Sequence, residues 1–589
     1  MAKWNQIGRA FGALNGGNAG DAQYVTFFCV AIFNQLQGGR LHADAAAGYG
    51  YSSGVGFVAY VDHVRLAALI KVGEGCGAGV RWVHFCFREG LFLRWQLNSP
   101  HKVAIMITMK LKISLIVFML ASYLLASFTW ANNLPDLGDV SQTVLTPLQE
   151  QAIAEQILRE VAVSDEVVQD IEITAYLQAL GMRLVSSSPD SQLKFNFFVV
   201  QDHSINAFAM PGGVVGVHTG LILASNSESE LASVLGHEVG HVTQHHLARM
   251  LAAQKGDTLK NIAGMALAIL LARANPQLAS GALTTASAMG VQSQLDYTRE
   301  HEREADRIGL QILDSGGFDV RAMPTFFSTL QRGTRFAEGG APSFLRTHPL
   351  TSDRIADVEN RVALMPYRQV PNNVDFQYVR AKLLANKDVP ETMIAVFEQN
   401  IRERRYSNEA VEHYGLAVAY MRKSAQKDSL LKAEKEVLWL KKNAPPHAMI
   451  ENLSARLQVA SNNPQLAARE YLAALKLYPD NRALIYGYAE HFLAIGQAEQ
   501  AVKLLKEKQS LYPFDAYMYE LLAKAYAMQN KNLLSHQAQG EAYFRKYDLV
   551  RAIEQMDIAS KAQDGDFYQA SIVEARLKEL RRMQGEAKK

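Results

Sequence analysis

The sequence has few cysteines, no excess of charge of either sign and few long apolar runs. Its three cysteines, Cys29, Cys76 and Cys86, all precede residue 108, so no disulfide can form within the rest of the chain. The 60 Lys and Arg nearly balance the 58 Asp and Glu, and this balance gives no reason to expect nucleic acid as a partner. With 49% hydrophobic and 20% charged residues, the composition is ordinary for a globular protein and too polar for one with many membrane spans. A chain of 589 residues is expected to form two or more domains.

Residues 109–131 have the form of a secretory signal peptide. Met109 is followed by lysines, by an apolar run over 113–125 and by small residues before the expected cleavage site. Because such a signal stands at the start of its protein, we expect translation to begin at Met109 or Met106. Residues 1–108 are then upstream translation or a disordered extension. The alternative is a cytoplasmic domain with an uncleaved transmembrane anchor. Under the first interpretation the exported protein has no cysteine, which suits a bacterial periplasm.

Residues 132–370 combine strand and helix patterns and are expected to form a catalytic domain. The run LKFNFFVVQD at 193–202 is rich in β-forming residues, and apolar alternation in 205–222 surrounds a Pro-Gly-Gly turn. A long helix then begins at Ser227, which forms an S-x-x-E capping box with Glu230. We therefore expect a mainly α domain with a small β-sheet (α+β).

The stretch 261–290 is strongly apolar, and two interpretations are open. Its unbroken apolar run, 262–272, is shorter than the roughly 18 residues that a transmembrane span needs. Arg273 and Pro276 then interrupt it. We expect buried or interfacial helices beside the catalytic site rather than a hairpin embedded in a membrane.

Residues 371–589 are helical in pattern throughout and contain a repeat. Pro445, Pro479 and Pro513 are 34 residues apart, and the last two follow the same Leu-Tyr pair. A 34-residue helix-turn-helix unit that ends in proline is typical of tetratricopeptide repeats. Such repeats stack into an all-α solenoid whose concave face binds peptides or proteins. The alternative is a helical bundle without repeats.

The sequence HEVGHVTQHH contains the H-E-x-x-H pattern of zinc hydrolases. Residues four apart on a helix share a face, so His237 and His241 can bind one ion while Glu238 lies beside a water molecule. Three protein ligands are needed for such a site. His245 lies about 12 Å beyond His237 along a continuous helix, and His246 points away from this face. Both are predicted to be surface or packing residues.

The third ligand is expected on a second helix, in YTREHEREADRIGLQIL. This stretch offers four acidic residues, Glu300, Glu302, Glu304 and Asp306. Glu302 and Asp306 are four apart and can both face the first helix. One would then be the ligand and the other an acceptor that fixes the tautomer of a ligand histidine. Spacing alone does not choose Glu302 over its neighbours.

These motifs resemble those of the gluzincin peptidases that include HtpX and the CAAX prenyl endopeptidases. In that family H-E-x-x-H is followed by E-x-x-A-D on a later helix, and INAFAMPGG and RTHPLTSDRI resemble its active-site strand and its downstream His-Pro segment. The resemblance implies one zinc ion (Zn²⁺) per chain, held by His237, His241 and Glu302, with Asp306 as the aspartate of the second motif. Together with the export signal and the repeats, residues 132–589 are similar to the periplasmic BepA group.

The expected mechanism uses Glu238 as the general base and then the general acid of peptide hydrolysis. The strand around 206–210 is expected to offer its edge to an extended substrate. His348 lies in the downstream segment 346–355 that resembles the family, and three roles are open for it. It stabilises the oxyanion, or it binds zinc as a fourth ligand that plugs the site, or it is a structural residue before a proline.

The resemblance implies a periplasmic zinc endopeptidase, and chaperone, for the assembly and quality control of outer-membrane β-barrel proteins. Its substrates would be unfolded or stalled outer-membrane proteins, and its repeats would dock on the barrel-assembly machinery, with peripheral membrane association. A second interpretation is a non-catalytic periplasmic chaperone or scaffold, which would have no need of Glu238. A third, a cytoplasmic or inner-membrane protease, requires residues 1–108 to be part of the native protein.

Overall fold

The computed structural model describes residues 56–61, 64–69, 71–74, 81–84, 145–188, 193–253, 288–336 and 343–587. The predicted signal peptide at 109–131 and residues 261–287 of the apolar stretch lie outside the described residues, so both remain predictions. The chain divides into two compact units, 1–137 and 138–589, and each is described by itself.

In the first unit, short strands pair as two antiparallel ribbons. β1 (Gly56–Val61) pairs with β2 (Val64–Leu69), and β3 (Lys71–Glu74) pairs with β4 (Arg81–His84). The sequence pattern did not predict these strands. The assignment of residues 1–108 as upstream sequence stays a prediction.

The second unit contains a three-stranded sheet of β5 (Asn196–Val200), β6 (Ala207–Met210) and β7 (Val214–His218). β7 lies in the centre, parallel to β5 and antiparallel to β6. A Pro-Gly-Gly turn joins β6 to β7, and Gly212 and Gly213 both adopt positive φ, 71° and 76°, which favours glycine. The predicted strands and turn are confirmed, and β6 lies at an edge of this sheet.

Nine helices accompany this sheet in the described ranges from 145 to 364. They are α1 (Pro147–Val163), α2 (Ile171–Ser186), α3 (Thr219–Ala224), α4 (Glu228–Thr243), α5 (His246–Ala253), α6 (Ala288–Ser315), α7 (Ala322–Phe336), α8 (Ser343–Thr347) and α9 (Ser352–Leu364). α2 packs on β5 and α4 packs on β6, and Leu177, Val217 and Leu235 lie in the core that these elements share. Among the helices in the described residues, none has both the length and the apolar character needed to cross a membrane.

The helix predicted around H-E-x-x-H is shorter than expected. At its start, Ser227 Oγ accepts a hydrogen bond from Glu230 N at 3.2 Å. The Glu230 carboxylate accepts from Asn226 N at 2.8 Å instead of from Ser227 N, so half of the predicted capping box forms. The helix ends before His245, whose φ of 51° belongs to the left-handed region. The prediction of one continuous helix was therefore wrong, because a residue with this φ does not continue an α-helix.

Glycines allow α4 and α6 to pack closely. A Cβ atom at Gly240 would lie 3.1 Å from Ala305 O, and one at Gly309 would lie 3.1 Å from His237 N. Both distances are shorter than ordinary carbon contacts. The two helices that carry the predicted ligand residues are thus held at a separation that larger residues would disturb.

The described chain beyond residue 373 is helical, as predicted. Its helices are α10 (Val374–Ala385), α11 (Pro390–Glu403), α12 (Glu409–Met421), α13 (Lys427–Asn443), α14 (Ala448–Ala460), α15 (Pro464–Leu477), α16 (Arg482–Ala494), α17 (Ala498–Lys508), α18 (Ala516–Met528), α19 (Asn532–Arg545), α20 (Leu549–Lys561) and α21 (Phe567–Ala587). One hydrophobic core extends across the predicted boundary at 370, and the rings of Tyr176 and Phe376 pack there at 6.4 Å.

The helices from α14 to α19 form pairs with a period of 34 residues. Asn462, Gly496 and Asn530 lie at the turn inside successive pairs, 34 residues apart, and each adopts a positive φ, 58°, 78° and 57°. Pro479 and Pro513 lie in the turns between pairs. The same turn conformation therefore recurs at equal spacing. This regularity confirms the predicted helix-turn-helix repeat and rules out a bundle without repeats.

A buried ion cluster joins α2 to the helices beyond residue 373. Lys382 Nζ lies 2.6 Å from Asp170 Oδ2 and 2.5 Å from Glu172 Oε2. Glu172 also accepts a hydrogen bond from Asn452 Nδ2 at 2.9 Å. Lys382 is only 5% exposed, so its ammonium group has exchanged most of its hydration for two carboxylates. We call these four residues the junction cluster.

Candidate metal centre

Four side chains from three segments meet in one cluster. His237 and His241 are one turn apart on α4, Glu302 comes from α6, and His348 directly follows α8. One metal-binding atom from each lies within 4.8 Å of the other three. His237, Glu302 and His348 are buried and His241 is partly buried. We call these four residues the donor cluster.

The distances within the donor cluster fit one metal ion. His237 Nε2 lies 3.0 Å from His241 Nε2 and 3.4 Å from Glu302 Oε2. His241 Nε2 lies 3.4 Å from Glu302 Oε1. Two ligand atoms about 2.0 Å from one tetrahedral zinc ion are about 3.3 Å apart. The three donors predicted from the sequence are therefore spaced as ligands of a single small ion would be.

Two carboxylate oxygens at the cluster lack the hydrogen bonds that buried oxygens normally accept. Within the described part of the chain, Glu302 Oε2 and Glu238 Oε1 are buried and accept no hydrogen bond. Arg354 Nη1 lies 2.7 Å from Glu302 Oε2 as an ion pair, but without hydrogen-bond geometry. An unsatisfied buried acceptor costs about 1–3 kcal/mol. Both oxygens therefore fit a site that binds a cation and a water molecule.

The structure places His348 inside the cluster. Its Nδ1 lies 2.9 Å from Glu302 Oε1 and 3.4 Å from His237 Nε2. Its other ring nitrogen, Nε2, lies 3.5 Å from Glu238 Oε1, and the ring stacks on Phe344 at 4.7 Å. His348 thus contacts both the predicted metal ligands and the predicted general base.

Asp306 and Arg354 support the cluster on the side of His237. The Asp306 carboxylate lies 3.0 Å from His237 Nδ1, the nitrogen that faces away from the donor cluster. Arg354 Nε and Nη2 each donate a hydrogen bond to Asp306 at 2.7 Å. Asp306 therefore holds the His237 ring, and the fully buried Arg354 guanidinium holds Asp306.

Burial and charge together set the protonation of these groups. Burial alone lowers the pKa of His237, but hydrogen bonds to Asp306 and Glu302 outweigh it and raise the pKa to about 9. For His241 burial prevails over the attraction of Glu302, and the pKa falls to about 3. Burial raises the pKa of Glu302 and of Asp306, yet their histidine partners, and Arg354 beside Asp306, lower both pKa values overall. Both carboxylates are therefore charged at neutral pH, which suits the binding of a cation.

His246 does not point away from the site, as the sequence had led us to expect. Its Nδ1 lies 2.8 Å from His241 Nδ1, and its Nε2 lies 3.0 Å from Glu304 Oε2. The expectation assumed that the helix continues, whereas the left-handed residue His245 turns the chain before α5 begins. His246 is a buried packing residue, but it packs against a predicted ligand.

The remaining candidates lie outside the donor cluster. Glu300 is exposed, and His245 is partly buried beyond the end of α4. Sequence reasoning missed Arg354, although it belongs to the segment 346–355 that had been singled out. Its partner Asp306 is 48 residues away, and no helical spacing connects them. The only available signal was an arginine within the His-Pro segment.

Comparisons with known proteins find matches for both the region of the donor cluster and the region of the repeats. A model of peptidase family M48 matches residues 172–362, and a tetratricopeptide repeat model matches residues 458–525. The β-barrel assembly-enhancing protease of Escherichia coli (strain K12) is 32% identical over 463 residues, which cover 77% of this chain and 92% of that protein. The chain belongs to the family of the β-barrel assembly-enhancing proteases.

Other members and relatives are also similar. The putative β-barrel assembly-enhancing protease of Vibrio cholerae is 33% identical over 450 residues, 76% of this chain and 92% of that protein. The mitochondrial metalloendopeptidase OMA1 of Schizosaccharomyces pombe is 31% identical over 186 residues, 32% of this chain and 52% of that protein. The predicted family, fold class and enzyme class are confirmed. This member of the β-barrel assembly-enhancing protease family is a metalloendopeptidase followed by helical repeats.

Proposed function

We propose that the protein is a periplasmic zinc endopeptidase, and a chaperone, that acts in the assembly and quality control of outer-membrane β-barrel proteins. The observation that carries this proposal is the donor cluster, in which two imidazoles and a carboxylate are spaced for one ion. The printed names of the bacterial relatives support the link to barrel assembly.

Zinc is the ion that this donor set suits best. Two histidines and one glutamate form a frequent ligand set of catalytic zinc, with a fourth position left for water. We assign His237, His241 and Glu302 as the ligands of one zinc ion per chain. When bound, zinc lowers the pKa of a water molecule and polarises the carbonyl of the peptide bond.

Glu238 is the proposed general base and acid. It is 1% exposed, and one of its carboxylate oxygens accepts no hydrogen bond within the described residues, so that oxygen is available to a proton. Glu238 takes a proton from the attacking water and passes it to the leaving amine. Asp306 contributes through His237, whose Nδ1–H it accepts, so that Nε2 faces the donor cluster.

Unfolded or stalled outer-membrane proteins are the proposed substrates. β6 is an edge strand, so an extended segment can pair with its backbone. Recognition through backbone hydrogen bonds requires an unfolded chain and is only weakly selective for the side chains of the substrate. Strands of a β-barrel that has not closed meet this requirement.

The repeats are the proposed binding region for partners. Regularly stacked helix pairs form an extended surface that is suited to proteins and peptides. We assign to it the docking on the barrel-assembly machinery, with peripheral membrane association. The predicted signal peptide at 109–131 supports export to the periplasm. Native protein whose N-terminal sequence begins before Met106 would contradict this localisation.

His348 is the proposed plug of the active site. With His348 the donor cluster has four protein donors, and a fourth donor takes the position that a catalytic zinc site leaves for water. The enzyme would then be latent until the segment around α8 moves. A second candidate function, a chaperone without catalysis, is favoured by the repeats, which lie outside the segments that form the donor cluster.

The test is cleavage of a urea-unfolded outer-membrane β-barrel protein by the purified zinc-loaded protein. We expect the wild type to release discrete fragments and His348→Ala to release them faster. The Glu238→Gln variant is the matched control: it should keep one zinc ion and cut about 10²–10⁴-fold more slowly. Equal cleavage by Glu238→Gln would reject the assigned base. Intact substrate with both the wild type and His348→Ala would favour the chaperone without catalysis.

A further inference from the structure

The two histidines of H-E-x-x-H have different partners at their outer nitrogens. His237 Nδ1 faces the Asp306 carboxylate at 3.0 Å. His241 Nδ1 faces another imidazole nitrogen, His246 Nδ1, at 2.8 Å. A histidine ligand usually donates its outer N–H to a carboxylate, a carbonyl or water. An imidazole in this place needs an explanation of its own.

A count of protons determines how the two imidazoles are arranged. His241 directs Nε2 into the donor cluster, so with a metal ion on Nε2 the proton of the neutral ring is on Nδ1. Two nitrogens at 2.8 Å share one proton, so His246 Nδ1 must accept it. The proton of the neutral His246 ring is then on Nε2, which donates to Glu304 Oε2 at 3.0 Å.

The surroundings of His246 hold this arrangement in place. Glu304 Oε2 also accepts a hydrogen bond from Arg249 Nη1 at 2.9 Å. The ring of His301 stacks on the His246 ring at 4.3 Å, with the planes 7° apart. His246 itself is 4% exposed. Both the rotation and the tautomer of the His246 ring are therefore fixed.

We propose that His246 is a positioning residue of the metal site, which fixes the tautomer and the ring orientation of His241 through the Nδ1–Nδ1 hydrogen bond. Glu304 and Arg249 hold His246 in turn. This inference rests on the proposed function, because it requires that His241 binds the metal. It assigns to His246 a role that H-E-x-x-H spacing does not contain.

The break between α4 and α5 makes this contact possible. In a continuous helix, residues five apart do not share a face. The left-handed conformation of His245 turns the chain, so that His246 returns to His241 and reaches Glu304 on α6. The positive φ of His245 is thus part of the proposed positioning device.

The test compares His246→Leu, which removes the acceptor, with His246→Asn, whose Oδ1 can accept at about the place of Nδ1. The measurement is the affinity of the purified full chain for Zn²⁺, by competition with a chromophoric chelator, with circular dichroism as the check of folding. We expect His246→Leu to bind Zn²⁺ about 10–100-fold more weakly, as for other outer partners of ligand histidines. His246→Asn should recover most of the affinity. His203→Leu, the same substitution at an exposed histidine between β5 and β6, is the matched control and should bind as the wild type does.

Equal affinities of His246→Leu and His246→Asn would overturn the inference, because packing alone would then explain any loss. If His246→Leu does not fold, Glu304→Ala replaces it as the test variant, because Glu304 is the partly exposed partner of His246. It should weaken Zn²⁺ binding by a smaller factor, and unchanged affinity would count against the proposal.

His241→Ala distinguishes a failure of the proposed metal site from a failure of the proposed positioning role. If it binds Zn²⁺ as the wild type does, the metal site itself is wrong. If it loses Zn²⁺ while His246→Leu does not, only the positioning role is wrong.

Discussion

The donor cluster and the junction cluster are both buried and both rich in charge, yet they differ in one respect. In the junction cluster, Lys382 supplies a cation that contacts both carboxylates, at 2.6 and 2.5 Å. In the donor cluster, three imidazoles and Glu302 face one another, and Glu302 Oε2 contacts Arg354 at 2.7 Å but accepts no hydrogen bond among the described residues. In the first cluster both carboxylates are paired with a cation of the fold, although Asn452 Oδ1 is buried without a hydrogen bond. The second has the composition of a site for an added cation.

This difference indicates how to separate structural from functional clusters. Buried polar atoms normally find partners within the fold. A cluster whose carboxylates are paired with its own lysine contributes to the packing of two regions. A cluster whose nitrogens and oxygens converge at ligand spacing, with carboxylate oxygens left over, points to a ligand. Variants of the two clusters should therefore affect different measurements.

The largest effect is expected from Glu302→Gln, which keeps the size of the side chain and removes its charge. Zinc affinity should fall by more than the ~100-fold that loss of an outer partner can cost, and proteolysis should be lost. Zinc at 1,000 times the wild-type dissociation constant should stabilise the wild type by about 4.1 kcal/mol and the variant, at the same concentration, by less than about 1.4 kcal/mol. Equilibrium dialysis and thermal unfolding with and without zinc measure both. An unchanged zinc content would exclude Glu302 as a ligand.

Next in size is the effect of Lys382→Met. It leaves the carboxylates of Asp170 and Glu172 buried without their cation, which should cost about 3–5 kcal/mol of unfolding free energy. Zinc affinity should stay as in the wild type. Urea unfolding gives the free energy, and the triple variant with Asp170→Asn and Glu172→Gln is the control, since it removes the unpaired charges. A loss of zinc binding in the folded variant would contradict the separation of the two clusters.

His348→Ala should have smaller effects, of opposite sign, on zinc affinity and on the rate of cleavage. Loss of the fourth donor should weaken zinc binding, while access of water and substrate should increase cleavage several-fold in an otherwise intact site. Initial rates on an unfolded barrel protein, at saturating zinc, measure the second effect. A cleavage rate that falls together with the zinc affinity would instead favour the oxyanion or structural role of this residue.

The smallest effect is the dependence of the junction cluster on pH. Burial alone raises the pKa of Asp170, but the charge of Lys382 and its hydrogen bond lower it overall. The stability that Asp170 contributes is therefore complete above its ordinary pKa of 3.8 and is lost as the pH falls through the lower folded value. Urea unfolding between pH 5 and 3, compared with Asp170→Asn, should reveal a weaker decline in the variant. Identical profiles would contradict this linkage.

Local spacing predicted those parts of the site that lie on one helix. His237, Glu238 and His241 follow from helical geometry, and the 34-residue period predicted the repeats. Glu302 was chosen over Glu300 and Glu304 only by resemblance, because all three share a charged helix. The structure separates them through α4 and α5, which contact different faces of α6.

The features that sequence reasoning missed depend on non-local geometry. Arg354 becomes part of the site only because α9 packs against α6, which brings it to Asp306. His246 was misplaced because a single residue, His245, leaves the helical region of φ. Neither feature follows from a periodic sequence pattern, because each depends on long-range contacts that offset a local conformational cost.

The close packing of α4 and α6 gives the site a defined width. Two proposed ligands are on α4 and the third is on α6, so the separation of these helices sets the distance from Glu302 to the histidines. A methyl group at Gly240 or Gly309 would meet backbone at 3.1 Å, and relief of that contact shifts a helix by a few tenths of an ångström. Metal–ligand distances tolerate about 0.2 Å. We therefore expect exchange of either glycine for alanine to weaken metal binding without removing any proposed ligand.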